Sequence, residues 1–227
     1  VMEFETRLDS GLHRRMVDIK GGRRKPPVKA EIYVLEDLER FQPLVVVSPI
    51  EENRPLYTHK AVCPVEGEVS LGGTILTLDR KRDLALMDVQ KSFYPYRTFW
   101  NWATFGGYDS EGRLVAMNAC HNIIKNDQEY NENCTWVDGR LSLTSSVRFD
   151  FDQTALMEPW KVTGTAGDLD FVFLPQGERK GKVSLGVVMS DFHQPFGEFS
   201  GTMVGPGGKV IEVEKVFGLC EWHLARF

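Results

Sequence analysis

Acidic and imidazole side chains that close otherwise apolar alternating runs are the residues of this sequence best suited to chemistry. In the run 183–194 one face carries Val183, Leu185, Val187 and Met189, then Asp191 and His193. In the last run Phe217, Leu219, Glu221, His223 and Ala225 share a face. Tyr130, Glu132, Cys134 and Trp136 form a third such face and Leu84, Leu86 and Asp88 a fourth, while His121 follows Val115, Met117 and Ala119 on a fifth. Side chains two apart in a strand point the same way. Each ionisable group therefore has hydrocarbon neighbours, among which a charge is costly unless it is paired. A carboxyl desolvated in this way has its pKa raised and can hold a proton near neutrality as a general acid. The plainer reading is that each group closes a strand at a rim, satisfied by water or a neighbour. Within the Asp191/His193 and Glu221/His223 pairs the spacing along a strand is about 6.5–7 Å, which predicts that acid and imidazole meet between strands rather than within a pair.

The segment 94–105 is the densest aromatic run, with Trp100 and Trp102 on one face and Arg97, Phe99, Asn101 and Phe105 on the other. Such a wall can stack a sugar or an isoprenoid, or steady a carbocation over its π faces; core packing is the alternative for the two indoles. Arg97 among aromatics predicts a carboxylate partner. There is no G-x-S-x-G elbow, no P-loop, no G-x-G-x-x-G after a strand and no H-E-x-x-H, which argues against nucleotide-dependent chemistry and serine hydrolysis. Cys63, Cys120, Cys134 and Cys220 lie far apart without ligand spacing, so no structural metal is expected. They read as small buried residues, or as two disulfides in an oxidising compartment.

The elements that must position these groups are strands. Period two dominates the chain, and no window of eleven or more residues shows a 3.6 period. About sixteen short strands are expected, among them 56–63, 67–71, 84–89, 98–105, 130–137, 183–189, 209–213 and 217–227. Gly21-Gly22, Gly72-Gly73, Asp138-Gly139 and Pro206-Gly207-Gly208 supply turns, of which Asp138-Gly139 is the best hairpin signal. The class is all-β and antiparallel, as barrel or sandwich units, two of them packed together: residues 1–92, incomplete at its N-terminus, and residues 93–227. The segment 22–27, with three charges and two prolines, reads as a solvated hairpin loop. A net charge of −5 with no basic stripe argues against nucleic acid. Leu44-Val45-Val46-Val47 is far too short to cross a bilayer, which needs about 20 residues. The start at Val1 shows no signal peptide, and a cytoplasmic location is expected.

A longer succession of motifs carries a resemblance: Tyr57-Thr58-His59-Lys60, Pro64-Val65-Glu66-Gly67, the run from Pro95 to Ala103, Asn131-Glu132-Asn133, Val137-Asp138-Gly139-Arg140, His193-Gln194-Pro195-Phe196-Gly197 and the run from Glu221 to Phe227. In this order they resemble a bacterial family of unknown function, distantly similar to the lipocalin-like proteins that include carotenoid hydratase (hydroxyneurosporene synthase) and tocopherol cyclase. Members of that family are longer at the N-terminus, so the chain reads as N-terminally shortened. The resemblance implies two lipocalin-like antiparallel units with an internal cavity and chemistry without a redox cofactor. It carries over to Lys60, Asp88, Arg97, Trp100, Asn101, Trp102, Glu132, Asn133, His193, Gln194, Glu221 and Arg226. It supplies no reaction, because none is assigned to the close family.

Two main readings follow, in neither of which a cofactor is expected. In the first, Asp88 or Glu132 protonates a double bond of an apolar or amphipathic small molecule, Trp100 or Trp102 shields the cation, and His193 with Gln194 orients water or the acid. This is a cofactor-independent hydratase, cyclase or isomerase, with Lys60, Arg97, Asn101, Asn133, Glu221 and His223 as binding residues. In the second, the barrel carries a lipid or pigment without changing it. A weaker third reading takes the indoles and carboxylates as a carbohydrate site, whose chemistry depends on the distance between the carboxyls.

Overall fold

A computed structural model describes residues 1–7, 11–23 and 25–226. Arg24 of the expected loop and Phe227 at the end of the last expected strand lie outside the described residues. The chain forms two compact units, Val1–Pro43 with Ala61–Met87, and Leu44–Lys60 with Asp88–Phe227. All sixteen strands among the described residues pair antiparallel, and no described helix is long and apolar enough to cross a membrane.

In the first unit β1 (Met2–Arg7), β2 (Leu12–Ile19) and β3 (Val28–Leu35) lie side by side, and β3 pairs with the second half of β5 (Arg54–Leu71). β6 (Thr74–Leu78) and β7 (Leu84–Ser92) also pair with β5. The expected loop before β3 is present and exposed, closed by a bridge between Gly22 and Lys25. Val34, Ala61, Cys63 and Val65 form the buried cluster, with Ile32, Leu78, Ala85 and Met87 packed against it. The expected strands 56–63 and 67–71 are one strand that continues through Gly67 at φ 137, where a Cβ would overlap the Glu31 carbonyl oxygen. Glycine is what lets the two runs join.

In the second unit β4 (Leu44–Glu51) pairs with the first half of β5. A nine-stranded sheet follows, in the order β11 (Arg140–Leu143), β10 (Cys134–Val137), β9 (Leu114–His121), β8 (Arg97–Tyr108), β16 (Val210–Arg226), β15 (Val188–Val204), β14 (Leu169–Leu185), β13 (Trp160–Gly164) and β12 (Val147–Asp150). Register separates its two faces. Ala103 opposes Cys220 and Phe173 opposes Phe199, and these residues join Phe105, Phe171 and Trp160 in the main apolar core. On the other face Trp102 opposes Glu221 and Cys120, and Trp100 opposes His223. One side of the sheet is hydrocarbon, and the other carries polar and indole groups. All four cysteines are free and buried.

Several strand expectations need correction. The run 183–189 is a hairpin, because Gly186 takes φ 64 and turns the chain between β14 and β15. The run 130–137 is strand only from Cys134, since Asn131, Glu132 and Asn133 belong to the loop after β9. The runs 209–213 and 217–227 merge into β16 across Lys215 at φ 52, with a register shift against β15 between Phe199 and Gly201. On β7 Ala85 and Met87 are half-buried against the cluster of the first unit, and Leu86 is exposed. Leu84 to Met87 is apolar at every position, so alternation could not choose a face. The Asp138-Gly139 turn is present, both residues at positive φ between β10 and β11.

Candidate functional site

The polar face of the second unit surrounds a hollow of about 140 Å³ lined by Lys60, Asp88, Gln90, Trp100, Trp102, Cys120, Ile123, Glu132 and Glu221. Alternation places most of these groups. Asp88 and Gln90 are two apart on β7, as are Trp100 and Trp102 on β8, while Cys120 and Glu221 face the indoles from β9 and β16. Glu132 arrives from a loop, fixed by amides. Asn118 Nδ2 donates to the Glu132 carbonyl at 2.6 Å, and Asn133 Oδ1 accepts from the Cys120 amide at 2.7 Å. Asn133 Nδ2 in turn donates to the Ser145 carbonyl at 3.2 Å. Trp102 Nε1 donates to Asn118 Oδ1 at 2.7 Å, which ties the indole to the same pin.

Lys60 is the centre of charge. Its Nζ lies 3.2 Å from Asp88 Oδ2, 3.7 Å from Glu132 Oε1 and 4.8 Å from the centre of the Trp102 ring. Burial pushes its pKa down, but the Glu132 and Asp88 carboxylates prevail and hold it above the ordinary lysine value, so it is an ammonium. Burial raises Asp88 first; Lys60 opposes this, and the charges of Glu132 and Glu221 add to the rise. The Asp88 side chain is 32% exposed and that of Glu132 1%. Glu132 Oε1 has no hydrogen-bond partner, and Gln90 Nε2 reaches Oε2 at 3.4 Å. The Cys120 thiol is pushed well up by burial and then by Glu132, and Tyr94, whose hydroxyl donates to Gln90 Oε1, is raised to about 12 by burial.

Glu221 joins a second set of polar groups. Trp100 Nε1 and Gln194 Nε2 donate to its two oxygens, each at 2.8 Å. His223 Nδ1 lies 3.6 Å from Glu221 Oε1, and its Nε2 is 2.8 Å from Ser190 Oγ. Acid and imidazole two apart on one strand therefore do meet, here and at Asp191–His193, where they are 3.4 Å apart. This corrects the expectation drawn from backbone spacing, because long side chains lean along the strand and close the gap.

Of the residues singled out by sequence, Lys60, Asp88, Trp100, Trp102, Glu132 and Glu221 share one hollow, and Gln194 and His223 reach it through Glu221. Asn133 pins the loop beneath it. His193 lies on the opposite face of β15, between Glu178 at 2.7 Å and Asp191. Burial pushes Glu178 up, but hydrogen bonds from His193 and Lys180 outweigh it and hold that carboxyl below its usual range. Asn101 turns away from the indoles and accepts from Asn122 Nδ2 at 2.9 Å. Arg97 is exposed opposite Arg226 rather than facing a carboxylate. Gln90, Asn118, Cys120 and Ser190 were not singled out. Gln90 was legible as the residue two after Asp88, and Asn118 as the one amide in an apolar strand. Among the described residues no three His, Cys, Asp or Glu side chains are grouped to hold a metal ion.

Residues 2–227 match the family described as a domain of unknown function, DUF2804. The chain belongs to that family. Among solved structures, this DUF2804 chain is similar to a Nitrosomonas europaea protein given the provisional name AttH, with 11% identity, a TM-score of 0.54, and 97% of this chain and 67% of that one covered. A likeness at that identity shows the fold alone. Kievitone hydratase from Nectria haematococca aligns over 95% of this chain and 83% of its own, at 9% identity and a TM-score of 0.37, too low to argue from. No curated protein matches the DUF2804 chain.

Proposed function

We propose that the chain catalyses proton transfer to a carbon–carbon double bond, as a hydratase or isomerase needing no redox cofactor, with Asp88 as the acid. The observation that carries this reading is that two carboxylates, Asp88 and Glu132, share one ammonium, Lys60, in a hollow that seals Glu132 and leaves Asp88 partly open. One ammonium neutralises one carboxylate, so the set holds a surplus negative charge that a single proton removes. Asp88 is the partner that opens toward a ligand, while Glu132 is sealed. The proton passes from Asp88 to one alkene carbon, and water adds to the other, or a proton leaves a neighbouring carbon. Either route returns a proton to the carboxylate, so no oxidant or reductant is consumed. Trp100 and Trp102 border the space in which the cation forms.

About 140 Å³ is well below the roughly 300–1,000 Å³ of a typical small-molecule pocket, so only the reacting end of a substrate enters. That volume weighs against carriage of a whole pigment at this site. The test is incubation in D2O with short isoprenoid alkenes, allylic alcohols and unsaturated ketones, read by mass for deuterium or added water. Asp88→Asn is expected to lower kcat/KM by about 10²–10⁴-fold. Unchanged turnover in that variant overturns the assignment.

Non-catalytic binding has one observation in its favour. A hollow of about 470 Å³ within the first unit is lined by Met16, Val17, Ala30 and Ile75 beside Lys29 and Glu31. Native mass spectrometry of protein from its own host distinguishes this reading, since an amphipathic molecule recovered unchanged supports carriage.

A further inference from the structure

The second unit holds an arrangement for which the sequence has no local motif. His223 uses both ring nitrogens: Nε2 is 2.8 Å from Ser190 Oγ, and Nδ1 faces Glu221 Oε1 at 3.6 Å. Glu221 is itself held by Trp100 Nε1 and Gln194 Nε2. The imidazole is braced by the Trp100 ring at 4.3 Å and the Phe192 ring at 5.3 Å. A proton on Nδ1, facing the carboxylate, leaves the Nε2 lone pair to accept the Ser190 hydroxyl. That order of hydroxyl, imidazole and carboxylate activates a serine, and apo sites commonly hold it looser than the reacting complex. Register assembles it. Phe192 opposes His223 across β15 and β16, which brings Ser190 diagonally onto the ring, and Glu221 is two residues before His223.

We propose that Ser190 is a histidine-activated nucleophile that is acylated by esters of apolar acids. The surroundings set the substrate class. Val183 is the cross-strand partner of Ser190, and Val188 and Phe192 flank it two residues away on the same face. Val183 is 51% and Val188 44% exposed, so hydrocarbon borders the hydroxyl at an open surface. Ser190 Oγ attacks the ester carbonyl carbon while its proton passes to His223 Nε2. The carbon–oxygen bond to the alcohol breaks, and the alcohol leaves with that proton. Water then attacks the acyl-serine, giving a proton to His223 and from there to Ser190 Oγ as the acid is released. Ester and water become acid and alcohol, with no other reactant. Ser190 and His223 are the catalytic residues, and Glu221 acts through His223 as a positioning residue.

The test uses the whole chain with an alkyl fluorophosphonate and with p-nitrophenyl butyrate. Intact mass and peptide mapping are expected to find one phosphonyl adduct, on Ser190, and the ester to give a burst of p-nitrophenol. Ser190→Ala, a small change at a half-buried position, abolishes both. His223→Gln slows labelling by at least about 100-fold, with near-UV circular dichroism reporting its fold. Glu221→Gln lowers kcat for the butyrate with KM unchanged, which a merely structural loss would not do. No adduct, an adduct mapped to another residue, or equal labelling of Ser190→Ala overturns the proposal.

Discussion

Lys60 Nζ lies 3.2 Å from Asp88 Oδ2 with its own side chain only 5% exposed, a buried ammonium placed between carboxylates that it cannot both neutralise. Removing one member of such a group leaves the others uncompensated in a medium of low dielectric constant.

Lys60→Met keeps the length of the side chain and removes the charge. It is expected to cost about 3–5 kcal/mol at pH 7.5, since the sealed Glu132 carboxylate then has no cation, while Asp88, 32% exposed, is partly screened by solvent and adds less. Protonating the carboxylates relieves that repulsion, so the gap to the wild type narrows at pH 5. Urea unfolding at the two pH values measures it, and a gap that is the same at both contradicts the charge account.

Glu132 is one of the groups that raise Asp88. Glu132→Gln removes its charge, so the Asp88 proton is lost at lower pH than in the wild type. If Asp88 works as an acid, the rate falls as pH rises through its pKa. The alkaline limb of the rate profile therefore moves toward acid in the variant, and a limb that stays in place dissociates the two carboxyls.

His121 faces Asp127 at 2.9 Å, yet burial prevails and lowers its pKa. Below about pH 6.5 the unfolded chain takes up a proton that the folded imidazole still refuses. Stability is therefore lost as pH falls from about 6.5 toward the depressed folded value. His121→Gln removes this contribution, so its melting temperature drops less than that of the wild type between pH 7.5 and pH 5.5.

Phe171 is fully buried, with its ring centre 5.1 Å from Phe105 and 6.3 Å from Phe199. Phe171→Ala is expected to cost about 3–5 kcal/mol through lost burial and the void it leaves. Chemical denaturation checks this, and a cost below about 1 kcal/mol would mean that the core collapses to fill the space.

Gly201 takes φ 152 beside the register shift on β15, and a Cβ there would overlap the Asp170 carbonyl oxygen. Gly201→Ala is expected to lose at least about 1–3 kcal/mol from backbone strain alone. Gly207→Ala is the control: its φ of 73 is also positive, but the space around it is open. The thermal shift of the first should exceed that of the second.

Part of the site was legible in the sequence because a strand has only two faces. Trp100 beside Trp102, and Glu221 two before His223, needed only alternation, and the Asp138-Gly139 hairpin needed only the tolerance of those residues for positive φ. Alternation alone puts Glu132 on a strand that it does not occupy, because the hydrogen bond that Asn118 Nδ2 donates and the one that Asn133 Oδ1 accepts, remote from any periodic pattern, decide where that loop runs. The run 183–189 looked continuous because valine and leucine suit a strand on either side of Gly186. The single glycine outweighed the hydrophobic pattern.

The all-β class, the Asp138-Gly139 reversal and the sharing of one face by Trp100 with Trp102 and by Glu221 with His223 were determined by the sequence alone, because local backbone preference and period two act over a few residues. The partners across strands were decided only by the tertiary structure: Lys60 with Asp88 and Glu132, Ser190 with His223, and the indole of Trp100 with Glu221. Register between distant segments sets those distances. A shift of one residue would turn each side chain to the opposite face, and no local pattern records which register burial selects.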